Sequence, residues 1–297
     1  MCIFSQQVES VSNTKIFVGL SPRKNRQLTV YSNTVSNVSA GNAMIIPVPY
    51  PHTVSFHDFS TIKDFFNKVD KSFYRQNLSR AKGISTNSVL MSHDTLEVMR
   101  VGDYNVSLAK SLGELNNINT TVFSELNLSS EVKSLLGKRY GSQSPFPWGF
   151  IIFGISADRE NKSYSPFAFS HCTVQESNKA KVYIPTYHYH KHNPAPTGAN
   201  GDTDFVENLV FNTVSNYLFG PSEMADDWSH SIYLFNCGQS NVDILNRNQA
   251  KYGCNMQLYF DRRLIDFDLS VCDNFEKFKV EGKHENMDIY IPIQDTA

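Results

Sequence analysis

The sequence predicts an α+β protein of mainly antiparallel β-sheet, sandwich-like, with two to three helices in its first half. Three observations carry this. Short apolar runs of period two open and close the chain, whereas apolar residues recurring every three to four positions fall mainly in residues 60–140. With 21 Phe and 14 Tyr among 297 residues, and only 19 % charged residues, the composition suits pleated, half-buried surfaces. The order is strands, helices, strands, which disfavours the regular βαβ alternation of a doubly wound fold.

Taken in order, residues 15–18, 28–31 and 43–46 are β-type runs separated by Pro, Arg, Lys and Asn, which predicts an antiparallel meander. The third run ends in Pro47-Val48-Pro49-Tyr50-Pro51, and proline cannot donate to a ladder, so this exit is expected to leave the sheet as an extended edge segment. From Ser60 the period changes: Ile62, Phe65, Phe66, Val69 and Phe73 share one helical face, and Ser60 is placed to cap the first turn. Residues 95–101 alternate again. Leu108, Leu112 and Leu115 then share a face, predicting a helix near 107–116, and Val132, Leu135 and Leu136 behind Ser129 or Ser130 predict another near 129–139. Beyond 148 the chain reads as strands at 148–155, 181–187, 208–219, 231–235, 255–260 and 264–271, of which 211–219 also suits a helix. The segment 142–147 is the linker candidate between a strand-rich half, 1–141, and a β-rich half, 148–297, unless the two form one continuous domain. No internal repeat stands out.

Charge bounds the partners. Lysine and arginine number 27 against 29 acidic residues, a formal charge of −2, so the basic footprint of a nucleic-acid or anionic-membrane binder is missing. No apolar run is long enough to span a bilayer, and the first residues lack the pattern of a signal peptide. The expectation is a soluble, intracellular, cytoplasmic protein with no nucleic-acid or membrane partner. Cys2, Cys172, Cys237, Cys254 and Cys272 include no C-x-x-C pair, and free buried thiols are expected.

The most unusual local feature is Tyr187-His188-Tyr189-His190-Lys191-His192. On a strand, period two places His188, His190 and His192 on one face, where two imidazoles can converge on a divalent metal such as zinc. Glu207, Asp204 and Asp202 lie across the following loop, 192–204, as further ligands, and His171 or His230 can join from neighbouring strands. Such a metal with an open position activates water for hydrolysis. Against this, an H-x-H alone is much less specific than a helical H-E-x-x-H, and a solvated strand end is the plainer reading. Cys2 is a second candidate: with Met1 removed it becomes a terminal nucleophile beside its own amine, the logic of an amidohydrolase. Asp266 and Asp268, alternating on one strand face, suit an ion-paired surface better than a hard-cation site. The serine-hydrolase elbow, the P-loop and the dinucleotide fingerprint do not occur.

The opening MCIFSQQVESVSNTKIFVGL, with RQLTVYSN and AMIIPVPYP, resembles the start of a family of uncharacterised, mostly bacterial proteins that begin Met-Cys-x-Phe-Ser. The resemblance continues at Val106-Ser107, at Trp148-Gly149-Phe150-Ile151-Ile152-Phe153, at Ser165-Pro166-Phe167-Ala168-Phe169 and through Ile184 to His190, about two-thirds of the chain in scattered short motifs. It implies no activity. It does imply that the His188/His190 pair and the proline-rich exit belong to a shared design, from which the Asn-rich loops and the loop after His192 depart.

Incomplete motifs more often sit on ordinary surfaces than on hidden sites. The expected function is therefore a non-catalytic structural or interaction protein, self-assembling or engaging a protein partner. The alternatives are a divalent-metal protein, a hydrolase in one form, using His188 and His190, and the Cys2 amidohydrolase.

Overall fold

The computed structural model describes residues 3–5, 8–37, 42–62, 64–72, 95–102, 104–123, 128, 130–141, 144–155, 162–163, 165–176, 179–187, 226–235, 237, 251–253, 267, 275–284 and 287–293. Among them are sixteen strands and two α-helices, so the α+β expectation is corrected: the protein is mostly β.

Three sheets are formed. The largest runs β14 (Lys251–Gly253), β15 (Phe275–His284), β13 (Asp226–Phe235), β2 (Val8–Leu20), β3 (Arg26–Asn37), β10 (Phe167–Cys172) and β5 (Ser55–His57), with β9 (Lys162–Ser163) against β3. The second orders β1 (Ile3–Phe4), β4 (Asn42–Pro49), β8 (Trp148–Ile155), β7 (Tyr104–Ala109) and β6 (Met99–Val101). The third is β11 (Val174–Glu176), β12 (Lys179–Ile184) and β16 (Ile289–Pro292). Neighbours pair antiparallel, except β13 and β2, which run parallel from His230↔Thr14 to Phe235↔Gly19. Both larger sheets draw strands from either side of residues 142–147.

Period two decides which side chain faces which layer. Along β2, Ile16, Val18 and Leu20 enter the main core while Phe17 enters a second cluster; Tyr31 opposes Leu28 and Val30 on β3 in the same way, and Ile232 and Leu234 oppose Tyr233 and Phe235 on β13. The large sheet is thus apolar on both faces. One face meets the other two sheets, and the other is covered by α1 (Phe65–Ser72), whose Phe65, Phe66 and Val69 pack with Phe59, Ile62 and Phe17. That amphipathic stripe matches the expected spacing, although the helix begins at Phe65 after a 3-10 turn at Ser60–Ile62, and it is Asp58 Oδ1 that accepts from the Ser60 N–H at 2.8 Å.

Two further expectations change. The helix placed at 107–116 is the strand β7 followed by a 3-10 turn, Gly113–Asn117. Leucines at i, i+4 and i+7 fit a helix, but β8 needs a second hydrogen-bonding neighbour, and β7 supplies it in the register Val106↔Phe153 to Ala109↔Phe150. Gly102, at φ 55°, follows β6 where the chain reverses towards β7, with Val101 opposite Tyr104. The proline-rich exit does not leave at Pro47: β4 stays paired to β8 through Pro49↔Trp148. Pro47 and Pro49 share the parity of Ala43, whose N–H and C=O face Ser5, so their missing donors lie on the side away from β8. The β4 strand also joins β1 and β8 in the second sheet, leaving β2 and β3 as a hairpin in the first, so the expected three-strand meander is split.

The second expected helix is present as α2 (Ser130–Tyr140), with Val132, Leu135, Leu136 and Tyr140 buried. No helix among the described residues is long and apolar enough to cross a membrane, which says nothing of a β-barrel.

Candidate functional site

At the C-terminal end of α2, before β8 begins, the chain turns through Pro145, Phe146 and Pro147 beside the third sheet. A half-open cleft of about 420 Å³ lies there, lined by Lys138, Arg139 and Tyr140 from α2, Phe146 and Trp148 from the turn and β8, and Glu176, Lys181, Asp288 and Tyr290 from the sheet side. Its floor is aromatic. The Tyr140 and Trp148 rings stand 4.8 Å apart edge to face, and Trp148 meets Phe146 at 5.1 Å and Tyr183 at 5.2 Å. Trp148 Nε1–H donates to Ser144 Oγ at 2.6 Å, which fixes the indole.

Asp288 is 3 % exposed. Its carboxylate accepts from the Tyr140 hydroxyl at 2.7 Å and from the backbone N–H groups of Thr186 at 3.1 Å and Tyr187 at 3.0 Å. Burial pushes its pKa above the ordinary carboxylate range, while the Arg139 charge, the Tyr140 hydrogen bond and the Tyr187 backbone donor work in the opposite direction. Burial first, then the neighbouring Asp288 charge, pushes the Tyr140 hydroxyl well above its usual value, so Tyr140 stays a donor at neutral pH. This one carboxyl ties the end of α2 to residues 186–187 and to the start of β16.

Arg139 stacks its guanidinium over the Tyr187 ring, Cζ to centroid 4.1 Å, and shares an electrostatic interaction with Asp288. Lys138 and Arg139 occupy the last turn of α2, where cations complement the negative end of the helix. Across the cleft Lys181 forms an ion pair with Glu176.

The residues singled out from sequence fare differently. Cys2, His188, His190, His192, Asp202, Asp204, Glu207, Asp266 and Asp268 lie outside the described residues. His171 and His230 are described and sit on β10 and β13, three strands apart in the large sheet, about 14 Å across the strands, and they are also six residues out of register along β2, His171 lying level with Leu20 and His230 with Thr14. His171 is fully buried, its Nδ1–H donating to the Cys172 carbonyl at 2.7 Å, and burial holds its pKa down at about 4. Among the described residues, no three His, Cys, Asp or Glu side chains gather as a metal-holding group. Cys237 is buried and Cys172 half-buried, both as free thiols. A serine–histidine pair that sequence reasoning did not pick out, Ser170 and His57, lies at 2.9 Å, but Ser170 Oγ also accepts from Arg26 Nη2 at 3.0 Å and both residues are buried, so the group stitches β5, β10 and β3 together.

The cleft residues are not marked in the sequence, where Trp148 is only the first residue of the expected strand 148–155. One signal existed: Asp288 is a lone acid in the apolar run Met287-Asp288-Ile289-Tyr290-Ile291, where only a partnered carboxylate is tolerated.

No family model matches the chain. Among solved structures, the crystal structure of baculovirus P35 is similar over 99 % of this chain and 100 % of that one, at 11 % identity and a TM-score of 0.49, a likeness too slight to carry an argument.

Proposed function

We propose that the protein is a non-catalytic interaction protein that engages a partner at the cleft between α2 and the third sheet. The observation that supports this is the commitment of Asp288. Its carboxylate oxygens are occupied by Tyr140, Thr186 and Tyr187, so the one acid on the cleft floor serves architecture and is not free to shuttle protons. The second acid, Glu176, is held by Lys181. Lys138 and Arg139, both exposed, stand beside the aromatic lining, which suits holding a ligand; the volume lies in the range of ordinary binding sites.

Hydrogen–deuterium exchange of the full chain, with and without a partner purified from the native source, tests this reading. Protection is expected at 138–141 and 287–291, with the partner recovered chemically intact. A partner recovered cleaved or modified, or one that protects only other segments, overturns it.

A further inference from the structure

We infer that the cleft recognises an acidic side chain of a partner polypeptide, with Arg139 gripping the carboxylate and the aromatic floor receiving a neighbouring apolar side chain. This rests on the interaction reading above and names what that site takes.

Charge comes first. Three cations, Lys138, Arg139 and Lys181, and two carboxylates, Glu176 and Asp288, line the cleft, so it carries one net positive charge. Both carboxylates are engaged within the protein, Glu176 by Lys181 and Asp288 by its three donors. The unspent charge lies with the neighbouring pair Lys138 and Arg139, both exposed.

Geometry comes second. The guanidinium of Arg139 lies over the Tyr187 ring, Cζ 4.1 Å from the centroid, and interacts electrostatically with the buried Asp288, yet among the described residues its N–H groups have no hydrogen-bond acceptor. A guanidinium presents its donors as a planar fork that matches a carboxylate two bonds at a time. Stacking orients that fork in advance, so a ligand carboxylate loses less side-chain entropy on binding than it would at a freely rotating arginine. Phe146, Trp148 and Tyr290 supply the apolar surface beside it.

The third consideration selects a polypeptide over a free acid. Tyr290 belongs to β16, which among the described residues pairs with β12 alone. Among the described residues the outer backbone edge of Ile289–Pro292 has no strand partner. Ile293 N–H donates to the Ala180 carbonyl, so by parity the backbone groups of Tyr290 and Pro292 face outward. Because proline has no N–H, an extended segment seated there can pair with the Tyr290 N–H and the Tyr290 and Pro292 carbonyls while its side chains enter the cleft.

The test uses the full chain carrying Trp228→Phe, so that Trp148 alone reports by fluorescence. The probes are acetyl-Val-Phe-Glu-Val-amide and the same peptide with Gln for Glu. The Glu peptide is expected to bind roughly tenfold more tightly than the Gln peptide, the size of a charge-assisted hydrogen-bond pair. Arg139→Ala is expected to erase that preference, and Arg139→Lys, which keeps the charge and loses the fork, to weaken the Glu peptide several-fold; unchanged circular dichroism and melting show that both variants fold. Equal binding of the two peptides, binding by neither, or a preference that survives Arg139→Ala overturns the proposal. Displacement of the Glu peptide by inorganic phosphate at lower concentration than acetate overturns the carboxylate assignment. Each of these failures leaves the interaction reading to be decided by its own exchange experiment with the native partner.

Discussion

Single residues show how the interior handles polarity. Asp288 satisfies two backbone N–H groups and a tyrosine hydroxyl at once, so truncation leaves three buried donors without an acceptor. Asp288→Ala is expected to cost about 3–5 kcal/mol, and Asp288→Asn, which keeps one carbonyl acceptor, clearly less, as read from urea denaturation. His171 makes a pH prediction. Its native pKa of about 4 lies below the ordinary value of 6.5, so above that value both states are neutral and this group adds no pH dependence. As pH falls through 6.5 towards 4 the unfolded chain takes up a proton that the native state refuses, and stability drops by up to about 3 kcal/mol. Urea midpoints of the wild type and of His171→Leu, compared at neutral and mildly acid pH, are expected to show the wild type losing more.

At the level of elements, close approach and aromatic contact do most of the fastening. A Cβ on Gly149 would lie 2.7 Å from the Ala109 carbonyl and collide with Pro51, so β8 passes between β7 and the turn after β4 only because that position has no side chain. Gly149→Ala is expected to cost about 1–3 kcal/mol by thermal denaturation, as overpacking does. The α1 helix is held by Phe65, whose ring meets Phe17, Phe59 and Phe66 edge-on at 5.3, 5.3 and 5.1 Å, and by Asp70, which pairs with Lys277 and accepts from the Tyr233 hydroxyl at 3.0 Å. Phe65→Ala is expected to cost about 3–5 kcal/mol and to raise amide exchange across α1 above that of the strands beneath. The helical spacing of α1 and α2 was legible in the sequence because each has an apolar stripe. The strand β7 was not: its Leu108 falls at helical spacing with Leu112 and Leu115, and only the need of β8 for a neighbour makes it a strand.

Across the whole molecule, pairing joins residues far apart in the chain. The parallel ladder sets His230 beside Thr14, and β4 pairs with β8 across the turn that enters the cleft. Residues 1–141 and 148–297 expressed separately are therefore expected to show no cooperative unfolding in denaturant, because each holds strands that complete the other's sheets. The intact chain is expected to fold slowly, in milliseconds to seconds or longer, as non-local β pairing requires.

The sequence by itself determined the β-rich character, the apolar faces of the two helices and the strands 15–18, 28–31 and 148–155, because period and residue type act locally. It also marked His188, His190 and Cys2 as testable residues on chemical type alone. Tertiary structure decided the split of the first strands between two sheets, the strand identity of 104–109 and the cleft. Asp288 is distant in sequence from Arg139 and Trp148, and each looks ordinary alone: a helix-end cation, the first residue of a strand and a lone acid. Only the docking of α2 against the third sheet turns them into one surface, since burial gives Asp288 its partners and stacking on Tyr187 gives Arg139 its direction.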